Sequence, residues 1–367
     1  MVVYQSARAT KAPCAVTYKG APVEVLPFYK YLGLNLHSSA RIAEAGTTRA
    51  ESGQRAVYIL LQRCKDADIS SPVMQISLFR SMVVPIMLYG LEAWAPSALC
   101  LASAVNNPVE RVFRRFLRRV LGLRAGTPTA VQLAEAGQYP LSVDILIGLA
   151  RAWNRYVSMP EERLARQVFD HNLTLMGANI TSNKLRAPWS SQMVHCLSHA
   201  SPLAPDGSPQ LIDVQKLRVK LQDDFLDSVR SSEKSMTVAH LDIVGSVTRD
   251  TFGPAAHLQA VRSAYSRQSL TQLRTGSHWL AVATAIWAAG PTPPRHQRLC
   301  SRCRRSEVDD VGHMLWSCPA LEAERMQHSS LFMTPAASLA EFFQQDSPAV
   351  ASFARACRQT CQRLREG

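Results

Sequence analysis

The chain has 367 residues, 47% of them hydrophobic, which supports a packed core and excludes global disorder. Lysine and arginine total 41 against 28 acidic residues, and the resulting net charge of +13 points to a polyanionic partner, nucleic acid before a membrane surface. Nine scattered cysteines exclude a secreted disulfide framework, Met1–Arg8 holds no apolar signal core, and the most apolar stretch, Met82 to Tyr89, is too short to cross a bilayer. These features predict an intracellular protein, nuclear or cytoplasmic, that does not enter membranes.

Residues 15–26 read as a β-hairpin turning on Lys19-Gly20. Phe28 to Leu36 reads as one short strand with a central glycine. From there the chain is predicted to be helical. One amphipathic helix covers 47–66. Ser71-Pro72 caps and opens a second that runs to Tyr89 and is kinked by Pro85. Asn107-Pro108 opens a third, ending at Leu123. Further helices fall at 129–136 and 140–159, separated by Gly137 to Pro140. Between 178 and 212 asparagine, serine and proline dominate, and Ser201 to Pro209 reads as a linker. Helices follow at about 210–231, 258–288 and 336–365, the last burying Leu339, Phe342, Phe343, Val350 and Phe353.

The strongest chemical signal is Cys300-x2-Cys303, followed by His313 and Cys318. Two thiolates two residues apart can point at one ion from a tight turn. Three thiolates and one imidazole complete a tetrahedron with no open position, so the set reads as a structural zinc knuckle with Zn2+ as cofactor. Little apolar material lies between Arg302 and Val311, so zinc binding should help fold the segment. Arg295, Arg298, Arg302, Arg304 and Arg305 surround the first cysteine pair, and guanidinium groups there can neutralise phosphates and stack on unpaired bases.

The second signal is the helix from Glu110 to Leu121. Val112, Phe113, Phe116, Leu117, Val120 and Leu121 share one face. Arg111, Arg115, Arg118 and Arg119 share another, with Arg114 near it, offering a row of cations to a phosphate backbone. A solvated face or a membrane-surface helix are the competing readings. His195 and His199, with Cys196 between them, have metal-binding spacing but no third ligand. Cys357 and Cys361 read as a thiol pair at a helix edge. Asp223-Asp224 and Asp309-Asp310 lack the apolar strands that a two-metal polymerase hairpin requires.

Several stretches in order resemble the C-terminal portion of a non-LTR, LINE-type retrotransposon reverse transcriptase. Phe28 to Gly33 is similar to the family's "FKYLG" segment. Val84 to Trp94 resembles "P-x-x-x-Y-G-x-E-x-W" at the start of the thumb. The arginine helix with Leu121-Gly122 and Gly137 to Leu141 resembles "R-x-x-L-G" followed by "E-x-G-x-x-P-L". Leu270 to His278 is like "L-R-T-G-H", and Cys300 to Pro319 looks like the family's CCHC form. The resemblance covers about residues 15–320, with little to match in 160–255. It implies a mainly α chain: a β-hairpin remnant of a polymerase palm (1–36), a helical thumb-like domain (40–160), a helical connection (161–256), a helix with the zinc knuckle (257–328) and a C-terminal helix (329–367). The family's catalytic aspartates precede the "YLG" segment, so this chain is expected to lack them, with no catalytic residues and no polymerase activity of its own. The implied function is binding of RNA or DNA, template–primer-like or single-stranded. The alternatives are a piece of an active polymerase whose palm and fingers lie upstream, or a zinc-dependent protein-interaction adaptor.

Overall fold

The computed structural model describes residues 17–24, 26–37, 43–101, 107–176, 188–231, 247–288, 290–303, 305–333, 336 and 338–366. Two short hairpins lead into a mainly helical fold. β1 (Thr17–Tyr18) and β2 (Ala21–Pro22) pair across Lys19-Gly20, both with positive φ. The single strand expected through Gly33 is instead a second hairpin, β3 (Phe28–Tyr31) against β4 (Leu34–His37). Its reversal needs two consecutive left-handed residues, Leu32 (φ 45°) and Gly33 (φ 81°), and glycine carries the second without steric cost.

Helices then follow as α1 (Ala43–Asp66), α2 (Pro72–Leu78), α3 (Val84–Met87), α4 (Leu91–Leu101), α5 (Pro108–Leu121), α6 (Thr129–Ala136), α7 (Leu141–Val157), α8 (Leu164–Thr174), α9 (Trp189–Cys196) and α10 (Val214–Arg230). Beyond these lie α11 (His257–Ala260), α12 (Ala264–Arg274), α13 (Ala281–Trp287), α14 (Glu322–Gln327), α15 (Leu339–Gln344) and α16 (Ser347–Glu366). The expected kink at Pro85 takes the form of a widened turn over Phe79–Val83, where the Val84 amide donates to the Phe79 carbonyl, and Pro85 sits in the first turn of α3. The single helix expected at 336–365 is two. The Asp346 carboxylate caps α16 by accepting from the Ala349 amide. Among the described residues, no single helix is long and apolar enough to cross a membrane.

The chain divides into two compact units. One comprises Met1–Leu60, Leu78–Phe113 and Pro140–Leu221, the other Leu61–Ser77, Arg114–Tyr139 and Gln222–Gly367. In the first, the β3–β4 hairpin is held on α1: Arg49 Nη2 donates to the Gly33 carbonyl at 2.6 Å and Asn35 Nδ2 to Thr48 Oγ1 at 3.3 Å. Trp94, fully buried, donates to the Tyr89 carbonyl at 3.1 Å, and Trp153 to that of Gln210 at 2.9 Å. The Ser201–Pro209 segment is a folded turn rather than an open linker. Leu203 bridges Pro209, the Gln210 amide donates to the Pro202 carbonyl, and buried Ile212 is clamped through its backbone by the Asn154 side chain. Residues 178–187 of that stretch lie outside the described residues.

In the second unit one hydrophobic core joins α12, α13, α15 and α16 to the cysteine segment, through Leu270, Leu280, Met314, Leu315, Phe342 and Phe353 among others. The expected small knuckle and separate C-terminal helix therefore share a core, which also buries Cys357 and Cys361 rather than leaving them at a helix edge. Gly137 ends α6 at φ +62°, and a Cβ there would meet Gly253 C and Pro254 N at 2.1 Å. Gly137→Ala is therefore expected to cost at least about 1–2 kcal/mol from the left-handed backbone alone. The backbone collision adds to this, and urea unfolding measures the sum.

Candidate metal centre

Residues 298–309 fold back on themselves. The Leu299–Val308 bridge, with the Cys300 amide donating to the Glu307 carbonyl (2.8 Å) and Asp309 to Arg298 (2.8 Å), encloses Cys300 and Cys303 in one tight loop. The other half of the set comes from a widened turn over His313–Ser317, closed by the Cys318 amide donating to the His313 carbonyl at 2.8 Å. The extra residue in that turn lets His313 and Cys318 face the same point.

All four side chains are buried, and their ligand atoms lie within 4.8 Å of one another. Cys300 Sγ and Cys318 Sγ are 3.9 Å apart, and Cys303 Sγ and His313 Nε2 are 3.3 Å apart. A tetrahedral ion with bonds of about 2.3 Å to sulfur and 2.0–2.1 Å to nitrogen has S···S edges near ~3.8 Å and S···N edges near ~3.6 Å. The set can hold one metal ion. Burial pushes the Cys300 thiol up to about 12, and a metal ion bound beside it would favour the thiolate and release the proton to solvent.

The imidazole is aimed by its other nitrogen. His313 Nδ1 donates to Glu307 Oε2 at 2.6 Å and lies 2.9 Å from Ser317 Oγ, which itself donates to Glu307 at 2.9 Å. A proton fixed on Nδ1 leaves the Nε2 lone pair for an ion. The Ser317 hydroxyl, then His313, hold the Glu307 carboxyl below its usual range. Asp310 Oδ1 accepts from the His313 amide at 2.9 Å and steadies the turn. Glu307 and Ser317 are not singled out by the sequence pattern, although Ser317 lies four residues, one helical turn, after His313.

The arginines around the loop divide by role. Arg302 does not face solvent: its side chain is fully buried and ion-paired with Asp309, which also accepts from the Ala281 amide at 2.8 Å. Burial opposes the Arg302 charge, but the Asp309 hydrogen bond and the fields of Cys361, Asp309 and Cys300 together outweigh it and raise the basicity. This guanidinium props the loop against α13 and leaves the set of expected nucleic-acid contacts. Arg298 is half-buried and donates to the Pro293 and Val282 carbonyls. Arg295 is exposed and paired with Asp310 at 2.7 Å, and Arg305 is exposed, 3.5 Å from the Ser317 carbonyl. Arg304 lies outside the described residues.

On α5, Asn107 caps the helix by accepting from the Glu110 amide at 2.9 Å. Val112, Phe113, Phe116, Leu117 and Leu121 are buried, which leaves Arg111, Arg115 and Arg119 exposed in a row of spacing four. Arg114 and Arg118 are half-buried. Arg114 donates to Thr129 Oγ1 at 3.1 Å, and burial, then Arg114 and Arg115, lower the basicity of Arg118. His195 and His199 are exposed, and among the described residues the cysteine–histidine set is the one cluster placed to hold an ion.

The chain matches no family model, no curated protein and no solved structure. The site's own chemistry therefore carries the functional argument.

Proposed function

We propose that the chain is a nucleic-acid-binding protein built around one structural zinc ion, and that it corresponds to the C-terminal portion of a non-LTR retrotransposon reverse transcriptase. The observation that carries the reading is the closed set of Cys300, Cys303, His313 and Cys318. Four protein ligands, three of them thiols, suit zinc over calcium or magnesium and leave no position for a substrate. The ion's part is to tie the 298–309 loop to the turn ending at Cys318, while the protein's exposed arginines meet the polyanion. Arg295 and Arg305 beside the centre, and Arg111, Arg115 and Arg119 on α5, are the contacts proposed. Polymerase chemistry needs carboxylates gathered around two metals. Asp309 and Asp310 are committed to Arg302 and Arg295, and Asp223 lies 3.7 Å from Arg249, so binding rather than synthesis is the activity proposed.

The α5 row sets the test. Each phosphate neutralised on a single strand contributes about −0.7 to the slope of log affinity against log salt. The triple variant Arg111→Gln/Arg115→Gln/Arg119→Gln is expected to flatten that slope by about 2 for single-stranded RNA. An unchanged slope and affinity would remove α5 from the interface.

A further inference from the structure

The face where α12 and α16 meet holds a cavity of about 300 Å3 lined by Tyr265, Ser269, Arg355, Arg358, Gln359 and Gln362. We infer that this cavity is a second nucleic-acid subsite, which takes an unpaired base of single-stranded RNA against Tyr265 and its phosphates against Arg355 and Arg358. The inference deepens the nucleic-acid reading and rests on it.

Four observations carry it. Arg355, Arg358, Gln359 and Gln362 fall at helical spacing on one face of α16, and Tyr265 and Ser269 fall one turn apart on α12, so two helices present these side chains to the same hollow. Tyr265 is 71% exposed, and the Arg355 guanidinium stands over its ring at 5.7 Å. A ring already paired with a cation, with solvent beside it, is a stacking platform for a base. Charge of one sign collects here. Burial, then Arg124, lowers the basicity of Arg358, and burial, then Arg365, lowers that of Arg124. Among the described residues neither Arg355 nor Arg358 is paired with a carboxylate: Arg355 reaches the Ser263 hydroxyl at 3.5 Å, and Arg358 stands over the Trp279 ring. Gln359 and Gln362 bring amides that donate and accept at once, which suits the edge of a base.

A lipid surface fits less well. The opposite face of α16 is buried through Phe353, Cys357 and Cys361, which leaves no apolar stripe to enter a bilayer. A duplex keeps its bases stacked and away from the ring.

The test is anisotropy titration of the full chain with a short single-stranded oligouridine RNA across a salt series. Arg355→Gln/Arg358→Gln is expected to lower affinity about tenfold or more and to flatten the salt slope by about 1.4, two phosphates at about 0.7 each. Tyr265→Leu is expected to lower affinity about fivefold or more with the slope unchanged. Metal content and melting temperature equal to those of wild type certify both variants. In unsubstituted protein, RNA carrying 4-thiouridine should crosslink to the peptide containing Tyr265 or to that containing residues 355–362, a readout independent of how the variants fold. Wild-type binding in both variants, with affinity lost in the α5 triple variant, overturns this subsite and leaves the proposed function standing. No RNA binding by the wild-type chain overturns both. Crosslinks confined to other peptides, or loss of binding to phosphatidylserine vesicles with RNA affinity intact, overturn the subsite.

Discussion

Cys303→Ser is expected to empty the metal centre and loosen the loop around Cys300 and the turn that ends at Cys318. With zinc as the ion, the four ligand bonds hold a loop that has few apolar side chains of its own. In isolated knuckle-sized peptides such binding is worth about 10–16 kcal/mol at neutral pH. Here the effect on the whole chain is smaller, because Met314, Leu315 and Leu321 also anchor the segment in the shared core. Hydrogen exchange should therefore show protection lost at the Cys300, Asp309 and Cys318 amides, whose bonds close the loop and the turn, while α1, α4 and α7 keep theirs. Retained protection at those three amides in metal-free protein would mean that the core alone sets the geometry and the ion contributes little.

Arg274→Met is expected to destabilise the chain by about 3–5 kcal/mol, because it removes the guanidinium that meets the buried Glu135 carboxylate through two hydrogen bonds. Glu135 is fully buried. Arg274 meets it through Nε at 2.8 Å and Nη2 at 3.2 Å, and His257 Nε2 lies 3.5 Å from the same carboxylate while sitting 2.8 Å from Thr271 Oγ1. The pair joins α6 to α12 across 139 positions of sequence. Replacing both partners, as Glu135→Leu/Arg274→Met, removes the buried carboxylate along with its guanidinium, so it should recover most of the loss. Urea unfolding of the two single variants and the double reads the coupling directly. Additive losses, with no recovery in the double, would refute the buried-pair account.

What could be read from the sequence was whatever local chemistry fixes. Asn107-Pro108 and Ser71-Pro72 mark helix starts because capping and proline geometry act over three or four residues. Asn107 does accept from Glu110, and Ser71 Oγ from the Met74 amide at 3.5 Å. The Cys300, Cys303, His313 and Cys318 spacing is informative for the same reason. Leu32-Gly33 reads equally as strand interior and as a turn between two apolar runs, and the chain reverses there into the second hairpin. Asp346-Ser347-Pro348, a cap followed by proline, carried the break before α16 and was also readable. Other features were out of reach. Arg302 and Arg305 look alike as charges in one basic run, yet one is buried on Asp309 and the other faces solvent, and only the path of the chain separates them. The Glu135–Arg274 pair and the hollow between α12 and α16 depend on contacts between distant segments, which no periodicity encodes.

The most direct test of the central claim, that a metal-organised basic surface binds nucleic acid, is the affinity of the full chain for single-stranded RNA across a salt series. It should be measured on protein as purified, stripped with chelator, and reloaded with zinc. The account predicts log affinity falling linearly with log salt in the loaded protein, weaker binding when one zinc per chain is removed, and recovery on reloading. Binding that is absent at low salt, insensitive to salt, or indifferent to the metal would contradict it.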